Sequence, residues 1–452
     1  MIDRLGTVDL VDLAVETSDN TMNIGALVRL AGGRLLDHGE LRLAEARAEL
    51  ARHVALLPRV RQVVTRPGLL AGRPLWTDDP TFRIDRHVGQ VGLAPPGDEM
   101  ALLALTADLL RPRMDLTRPL WRMWFVTGLP NGEIAVVVAM HHVLADGAAA
   151  LELLRSLLDG PDSTREYAPA PRPRWAELFR DNVRRKFAML ARRRRRPANP
   201  THVPYRHLIE AWRAPRTTLN APVGPARTLR LVRLDLSSVR KAAHARGATV
   251  NDVVLTLAAG GLRALLSARG EDTSGTVLRA GVAVSLRAAG QPVEPGNRTG
   301  AIMVRLPLDE ADPRVRLRQV HTECAAARST QVSTVTSSVM LQLARVGLLR
   351  PVSRHQRLTN IVESDVIGPR EPLHLLGARV TDLVPIGNLA GNLSIAFLAL
   401  SYLDRLVITV QADADQFPDL ATLMEAMHKD WSRIEAGAGS RFESDAIAEP
   451  TK

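Results

Sequence analysis

The chain has 452 residues, a hydrophobic fraction of 46% and a formal net charge of +11, so its length accommodates two or three domains with separate cores. Its single cysteine, Cys324, excludes an intrachain disulfide, which is typical of a reducing cytoplasm. No run of about 18 uncharged apolar residues is present, and acidic residues in the first 16 positions exclude a signal-peptide core.

The first 160 residues alternate between strand-like and helix-like patterns. Residues 25–32 predict a strand, and residues 38–57 predict a helix. Residues 121–140 predict two strands joined by a Leu-Pro-Asn-Gly turn. We therefore expect residues 1–160 to form a first domain in which a sheet packs against helices.

The second of these paired strands leads into "AMHHVLADG", residues 139–147. Side chains alternate along a strand, so one ring of His141 and His142 points into a cleft while the other points away. An imidazole has an ordinary pKa of about 6.5 and can take and return a proton at neutral pH. Asp146 can fix the turn by pairing with an arginine, and Gly147 leaves room for a substrate. This pattern favours a catalytic site over a packed core histidine.

The positive charge is concentrated in one segment. Residues 171–216 contain thirteen arginines and one lysine against three acidic residues, which equals the net charge of the whole chain. A nucleic-acid enzyme would spread basic side chains over its fold, so no nucleic-acid partner is expected. Proline-rich stretches flank the segment, and residues 161–225 are therefore predicted to be a linker.

Within the linker, residues 175–196 predict a basic amphipathic helix. Two interpretations remain open: a crossover helix that packs on a domain, or a helix that lies on an anionic membrane surface. Its predicted apolar face consists of Trp175, Phe179, Val183, Phe187 and Leu190. The predicted membrane-facing tip consists of Arg192, Arg193, Arg194, Arg195 and Arg196.

The remainder of the chain, residues 226–452, repeats the mixture of strands and helices. Two halves of similar size and style predict an α+β (α/β layered) fold with a cleft between the halves. Strands are predicted at 227–236 and 300–308 and a hairpin at 394–413; helices are predicted at 237–247, 249–270, 313–330 and 418–436.

"HHVLADG" resembles the HHxxxDG signature of acyl-CoA-dependent acyltransferases built on two chloramphenicol-acetyltransferase-like domains. The whole chain is similar, nearly end to end, to the bacterial wax ester synthase/diacylglycerol acyltransferase branch. The resemblance implies two such subdomains with an active-site channel at their interface. The segments that carry it, in order, are "TMNIGALVRL", "LPRVRQVV", "RPLWRMWFV", "TLNAPVG", "GATVNDVVLTLAAGGLR", "LRAGVAVSLR", "GPREPLHLLGARVTDLVPIG" and "LALSYLDRLVITVQAD".

Two segments depart from the family pattern. Residues 364–369 are "SDVIGP", in which Asp365 and Ile367 replace the Asn and Pro that the family usually has. The N-terminal segment "VDLVDLAVE" lacks the bulky aromatic residue commonly found there. Both departures bear on which acceptor is used and on the catalytic efficiency. Neither removes His142, the residue expected to act as the base.

The resemblance implies that His142 is the general base, which takes the proton of an alcohol as it attacks the thioester of an acyl-CoA. His141 is expected to be a scaffold residue or to orient its neighbour. Asp146 is expected to be structural, with Arg61 as the first partner and Arg287 as the second. No Gly-x-Ser-x-Gly elbow and no metal motif are present, so acyl-CoA is the expected co-substrate and no cofactor or metal is expected.

Five further residues are predicted to line the substrate channel. Leu120 and Trp121 are either strand-core residues or a floor under the active site. Asn251 is either a helix-start residue or a channel residue. The predicted channel set is Pro119, Leu120, Trp121, Asn251 and Asp252.

Three functions remain open from the sequence. The leading one is transfer of a long-chain acyl group to diacylglycerol or a fatty alcohol, which gives triacylglycerol or wax ester. Its expected location is the cytoplasm, peripherally on the inner membrane or lipid droplets. A polyketide, sugar or peptidyl alcohol is the alternative acceptor. The third hypothesis is a catalytically silent protein that coats a lipid surface.

Overall fold

The computed structural model contains two six-stranded sheets, each with helices packed against it. The two sheets correspond to the two expected layered halves, and the structure therefore confirms the α+β class. The described residues are 2–31, 35–161, 167–195, 213–287, 297, 299–329 and 335–437.

The first sheet is built around the strand Ile134–His141, whose eight residues are all buried. This strand pairs antiparallel with Asn23–Leu30 on one side and with Trp121–Thr127 on the other. From edge to edge the strand order is His374–Leu375, Ala378–Ile386, Asn23–Leu30, Ile134–His141, Trp121–Thr127 and Val88–Gly92.

A glycine permits the close pairing of the two central strands. A Cβ atom on Gly25 would lie 2.1 Å from the carbonyl oxygen of Val138. Any larger residue would therefore push the strands apart. The same pairing sets Asn23 opposite His141, so the register fixes where the strand that carries the histidines ends.

The second sheet is formed by residues from the C-terminal half. The hairpin of Ile395–Tyr402 and Arg405–Asp413 confirms the prediction for residues 394–413. From edge to edge the order is Thr299–Pro307, Val277–Ser285, Ile361–Ile367, Ile395–Tyr402, Arg405–Asp413 and Arg227–Asp235.

One segment crosses between the halves. Residues Ala378–Ile386 lie in the C-terminal part of the chain but pair antiparallel with Asn23–Leu30 of the first sheet. The predicted third domain, 226–452, therefore contributes strands to both sheets. The reason is topological, because the pattern of a buried strand does not say which sheet it joins.

The helices pack against these sheets or at their ends. The described helices are Thr7–Val15, Leu43–Ala55, Glu99–Leu110, Gly147–Leu158, Trp175–Arg195, Leu236–His244, Val250–Ala268, Pro313–Ser329, Val335–Arg345, Leu349–Arg354 and Leu420–Ala436. Among the described residues, Val250–Ala268 is the one helix long and apolar enough to cross a membrane, but 72% of its most apolar 18-residue stretch is buried inside the fold. It packs on Leu420–Ala436 as a core helix of the second half.

Candidate active site

The two histidines at the end of the central strand differ in their exposure. His141 is fully buried, whereas the side chain of His142 is 24% exposed. One buried ring beside one reachable ring is the difference expected from the alternation of side chains at a strand end. His142 is thus the ring that solvent or a substrate can reach.

The ring of His141 is held inside the protein by two contacts. Its Nδ1 accepts a hydrogen bond of 3.1 Å from the backbone N–H of Val143, and its Nε2 lies 3.3 Å from Oε1 of Glu16. Burial alone would raise the pKa of Glu16, but the contact with His141 and the hydrogen bond from Arg113 lower it. His141 therefore has the contacts of a scaffold residue, because it joins the catalytic turn to the N-terminal segment.

His142 lies beside a carboxylate and an amide. Its Nδ1 is 3.2 Å from Oδ2 of Asp12 and 3.2 Å from Nδ2 of Asn297. Burial favours the neutral ring, but Asp12 and, more weakly, Asp146 and Asp9 raise the pKa of His142 above its ordinary value. The ring is therefore a stronger base than an isolated imidazole.

The acidic residues around the two rings come from the first helix, Thr7–Val15, and the residue after it. Asp9, Asp12 and Glu16 are all buried and lie at i, i+3 and i+7, on one helical face. Burial raises the pKa of Asp9 to about 6. Our sequence analysis missed these residues, although three acids at helical spacing in an apolar segment are a detectable signal.

Asp146 has contacts of the kind expected for a structural residue, but its partner differs from the first one expected. Its Oδ2 and Oδ1 lie 2.7 and 2.9 Å from Nη1 of Arg287, and Oδ1 also accepts the N–H of Ala149. The prediction of Arg61 was wrong, because Arg61 lies over the ring of Phe82 instead. Arg287, the second candidate, forms the pair across the seam between the halves.

The glycine of the motif is in contact with the other half of the molecule. A Cβ atom on Gly147 would lie 3.2 Å from Cγ2 of Val366, a residue of the "SDVIGP" segment. Together with the contacts of His142 to Asn297 and of Asp146 to Arg287, this places the HHxxxDG motif at the interface of the two subdomains.

Comparisons with known proteins agree with this geometry. The wax ester synthase/diacylglycerol acyltransferase catalytic domain matches residues 5–254, and the WS/DGAT C-terminal domain matches residues 295–435. The chain belongs to this family. The Mycobacterium tuberculosis H37Rv protein named "Probable diacyglycerol O-acyltransferase tgs1" is 30% identical over 385 residues, which cover 81% of this chain and 82% of that protein.

Solved structures share the fold of this chain. The wax ester synthase/diacylglycerol acyltransferase from Marinobacter aquaeolei VT8 superposes with a TM-score of 0.70 at 22% identity, over 97% of this chain and 100% of that chain. The first condensation domain of the calcium-dependent antibiotic synthetase gives a TM-score of 0.61 at 16% identity, with 97% of each chain covered. The two-subdomain architecture expected from the sequence is confirmed.

In this WS/DGAT chain, the strand that contains "SDVIGP" carries two carboxyl groups. Glu363 is fully buried, and neither of its carboxyl oxygens has a hydrogen-bond partner in the described part of the chain. Burial and, secondarily, Asp365 raise its pKa well above the ordinary value. Burial also raises the pKa of Asp365 to about 6. The strand that contacts Gly147 therefore carries two protonatable groups, and the substituted segment contributes one of them, Asp365.

The Pro-Leu-Trp motif lies in the core of the first sheet. Pro119, Leu120 and Trp121 are buried. The indole N–H of Trp121 donates to the carbonyl of Val60, and its ring stacks on His87 at 4.8 Å. These contacts favour the strand-core interpretation. The backbone carbonyl of Leu120 accepts the N–H of His141, so the motif pairs with the end of the strand that carries the histidines.

The Asn251–Asp252 pair lies at the start of the helix Val250–Ala268. Asp252 is fully buried, forms a capping box with Thr249 and contacts Nδ1 of His321 at 2.9 Å. These contacts support a structural role for Asp252. The Oδ1 of Asn251 is buried without a hydrogen bond among the described residues. The assignment of both residues to the channel stays a prediction.

A small crevice lies between the two sheets. Asn23 and Ile386 line it from the first sheet, and Leu229 and Gln411 line it from the second. His142 is not among its lining residues, although Asn23 pairs with His141. Among the described residues, no group of three His, Cys, Asp or Glu side chains is arranged to hold a metal ion.

The basic helix Trp175–Arg195 packs on the first half through a face that the sequence analysis did not identify. Leu178 is buried, and Asp181 pairs with Nε of Arg4 at 2.7 Å. Asn182 donates to the carbonyl of Leu70 at 2.8 Å. The helix therefore packs on the first half, as the crossover interpretation expected, but through positions 178, 181 and 182 and not through the predicted apolar face.

The apolar face predicted for this helix lies mostly outside that contact. Val183 is half-buried, whereas Trp175, Phe179 and Phe187 are exposed. The side chain of Leu190 lies outside the described part of the chain. The same holds for the side chains of Arg192, Arg193, Arg194 and Arg195 and for all of Arg196, so their predicted membrane role stays a prediction.

Proposed function

We propose that this WS/DGAT chain transfers a long-chain acyl group from acyl-CoA to the hydroxyl of diacylglycerol or a fatty alcohol. The products are triacylglycerol or wax ester and free CoA. The observation that carries the proposal is the position of His142, an accessible base at the seam of two subdomains in a chain that belongs to this family. The name of the mycobacterial relative supports diacylglycerol as an acceptor.

In the proposed reaction His142 takes the hydroxyl proton as the alcohol oxygen attacks the thioester carbonyl carbon. The new C–O bond gives a tetrahedral intermediate with a negative oxygen. The intermediate collapses, the C–S bond breaks, and the imidazolium returns its proton to the departing CoA sulfur. The protein ends in its starting protonation state, and no acyl-enzyme intermediate is formed.

The test is a purified-protein assay with palmitoyl-CoA and three acceptor conditions: diacylglycerol, hexadecanol and no acceptor. Ester formation that requires an acceptor supports the proposal. His142→Ala is expected to reduce turnover by about 10² to 10⁴, the contribution of a general base. His428→Ala, which removes an exposed histidine from the C-terminal helix, is the matched control.

The outcomes separate the three functions. Ester formation only with a short polar alcohol would favour the alternative acceptor class. Absence of turnover with every acceptor would favour the silent lipid-surface protein. Near-normal turnover of His142→Ala with saturating substrates would remove this residue from the role of base.

We further propose that the protein meets its water-insoluble acceptor at an anionic lipid surface. The support is a set of exposed apolar side chains on the basic helix and on the neighbouring residues Leu69 and Leu70. The exposed side chains are Leu69 (89%), Leu70 (67%), Trp175 (54%), Phe179 (36%), Phe187 (69%) and Met189 (55%). Such a patch is unusual on a protein that contacts only water.

The patch is built by two neighbouring segments. Trp175 stacks on Phe179 at a centroid distance of 5.3 Å, and its indole N–H donates to the carbonyl of Leu69 at 3.4 Å. The same helix carries exposed basic residues, Arg184 and Lys186 among them. Aromatic insertion combined with basic side chains is the composition of helices that bind anionic membranes.

Sedimentation with vesicles of phosphatidylglycerol and of phosphatidylcholine tests this surface. The double variant Phe179→Gln/Phe187→Gln should lose binding to both lipids, and serine at positions 192–196 should weaken binding only to the anionic vesicles. Met100→Gln, at an exposed methionine of another helix, is the control. Binding equal to that of the parent in both patch variants would contradict the proposal.

A further inference from the structure

The first helix brings a carboxylate to Nδ1 of His142. Asp12 is 8% exposed, and its Oδ2 lies 3.2 Å from Nδ1 of His142. In the described part of the chain, Nε2 of His142 has no hydrogen-bond partner, and the ring is 24% exposed. The two nitrogens of this ring therefore have different environments.

We propose that Asp12 is a positioning residue for this site: its carboxylate accepts the Nδ1–H of His142 and so presents Nε2, without a proton, to the acceptor hydroxyl. This inference rests on the proposed acyl transfer, because it concerns the same base. The proposed dyad joins Asp12 of the first helix to His142 of the HHxxxDG motif, and Asp12 lies outside that motif.

The neighbouring amide leaves two arrangements of protons to distinguish. Nδ2 of Asn297 can only donate, and it lies 3.2 Å from Nδ1 of His142 and 3.5 Å from Oδ2 of Asp12. If Nδ1 accepted from Asn297, the neutral ring would carry its proton on Nε2 and could not act as a base there. If Nδ1 donates to Asp12, Asn297 donates to the same carboxylate and Nε2 is free.

Electrostatics favours the second arrangement. A carboxylate in contact with Nδ1 can only accept, so an unprotonated Nδ1 would set a lone pair against a negative charge. A charge-assisted hydrogen bond replaces that repulsion when Nδ1 carries the proton. Asp12 also stabilises the imidazolium that forms as the hydroxyl proton is taken, in the way that carboxylates orient catalytic histidines in other enzymes.

Other charged groups around His142 have partners of their own. Asp9, on the same helix, accepts the backbone N–H of Gly6. From the motif, Asp146 is paired with Arg287 of the opposite half. On the buried side, Glu16 contacts both His141 and Arg113. Among these carboxylates, Asp12 is the one in contact with His142, so its removal should have the largest effect on that ring.

The position of Asp12 also connects with a departure noted in the sequence. The segment "VDLVDLAVE" lacks the bulky aromatic residue commonly found there, and it contributes the carboxylate that contacts His142. An aromatic side chain could pack against the ring but could not accept its proton. We therefore expect the base of this chain to depend on a charge that the motif alone does not predict.

The first test needs no substrate. The full-length protein labelled with ¹⁵N-histidine is titrated by NMR, and the His142 signals are assigned by their loss in His142→Gln. The neutral ring of the parent should show the Nδ1–H tautomer. Asp12→Asn should lower the pKa of His142 and increase the Nε2–H tautomer, whereas Asp108→Asn, at an exposed helix position, should change neither.

The result that overturns the proposal is a parent protein whose neutral His142 carries its proton on Nε2. An unchanged His142 pKa in Asp12→Asn would also overturn it. Asn297→Ala discriminates the two arrangements further, because it should leave the tautomer unchanged if Asp12 is the acceptor. A shift of the tautomer in Asn297→Ala but not in Asp12→Asn would assign the positioning role to the amide instead.

The second test is the pH dependence of kcat/KM with palmitoyl-CoA and hexadecanol. The base must be neutral, so activity rises as pH passes the pKa of His142. Asp12→Asn should move this acid limb to lower pH and reduce the plateau by up to the 10² to 10⁴ that a general base contributes. Asp12→Glu should restore part of both, and the KM for acyl-CoA should change little.

The two tests separate the inference from the function on which it rests. A parent protein without transferase activity would contradict the proposed function, while the NMR titration would still decide whether Asp12 holds the ring. An active parent whose acid limb does not move in Asp12→Asn would contradict the positioning role alone. A merely structural Asp12 would reduce the amount of folded protein without moving the acid limb.

Discussion

Replacement of Asp146 by alanine should destabilise the protein more than it would if this residue were only a helix cap. Its side chain is 1% exposed and that of Arg287 is 8% exposed, so solvent screens the ion pair very little. Asp146 also begins the helix Gly147–Leu158 by accepting the N–H of Ala149 at 3.0 Å. One substitution therefore removes two different interactions.

The magnitude follows from these two contributions. Removal of one partner of a buried ion pair costs about 3–5 kcal/mol, because a charge is left in a poorly solvated site. Loss of an aspartate N-cap costs about 1 kcal/mol. We expect Asp146→Ala to lower the free energy of unfolding by roughly 4–6 kcal/mol, which is a large part of the 5–15 kcal/mol typical of folded domains.

Urea denaturation monitored by circular dichroism measures this loss, and a second N-cap provides the control. Asp98 caps the helix Glu99–Leu110 by accepting the N–H of Ala101 at 2.8 Å, but it is exposed. Asp98→Ala should therefore cost only the capping contribution of about 1 kcal/mol. Equal losses for the two variants would refute the claim that the pair with Arg287 stabilises the seam.

Three further substitutions have expected outcomes. Burial raises the pKa of Asp9 to about 6, so the contribution of this residue to the free energy of unfolding should fall by roughly 3 kcal/mol as pH rises from 4 to 6. Asp9→Asn should remove that fall, which denaturation across this pH range measures. The pKa of Glu16 is lowered, so its contribution is present above about pH 4.5 and is lost at lower pH; an unaltered acid-denaturation midpoint in Glu16→Gln would contradict this. Gly25→Ala should reduce the yield of folded protein, since its Cβ would meet the carbonyl of Val138, whereas a normal melting temperature would show that the strands can separate there.

The sequence predicted most strands and helices whose apolar residues have a clear period. The paired strands Trp121–Thr127 and Ile134–His141 and the helix Val250–Ala268 were expected within a few residues of their bounds. The crossing of Ala378–Ile386 into the first sheet was not predicted. A buried strand has the same composition in either sheet, so its partner is decided by packing between halves and not by local pattern.

At the site, too, the sequence predicted the features that depend on local pattern and missed the contacts that depend on how the two halves pack. His141 and His142 are adjacent in sequence, and alternation along a strand was enough to separate their roles. Arg287 lies 141 positions from Asp146, and a choice between it and Arg61 needed the relative placement of the two halves. The helix Trp175–Arg195 shows the complementary failure, because its most apolar face is exposed and a face with one buried leucine makes the contact.

The acidic first helix shows what a sequence can reveal when burial is considered with charge. Asp9, Asp12 and Glu16 recur at the spacing of one helical face inside an apolar segment, so the apolar positions and the acids cannot all face water. Buried carboxylates need donors or cations, and an unpaired carboxylate is costly. Elsewhere in the first half the sequence offers two adjacent imidazoles at a strand end. Because buried acids need partners, the two histidines of the HHxxxDG motif are the expected partners of the acids in the first helix. The Asp12–His142 dyad proposed for this enzyme is one such pair.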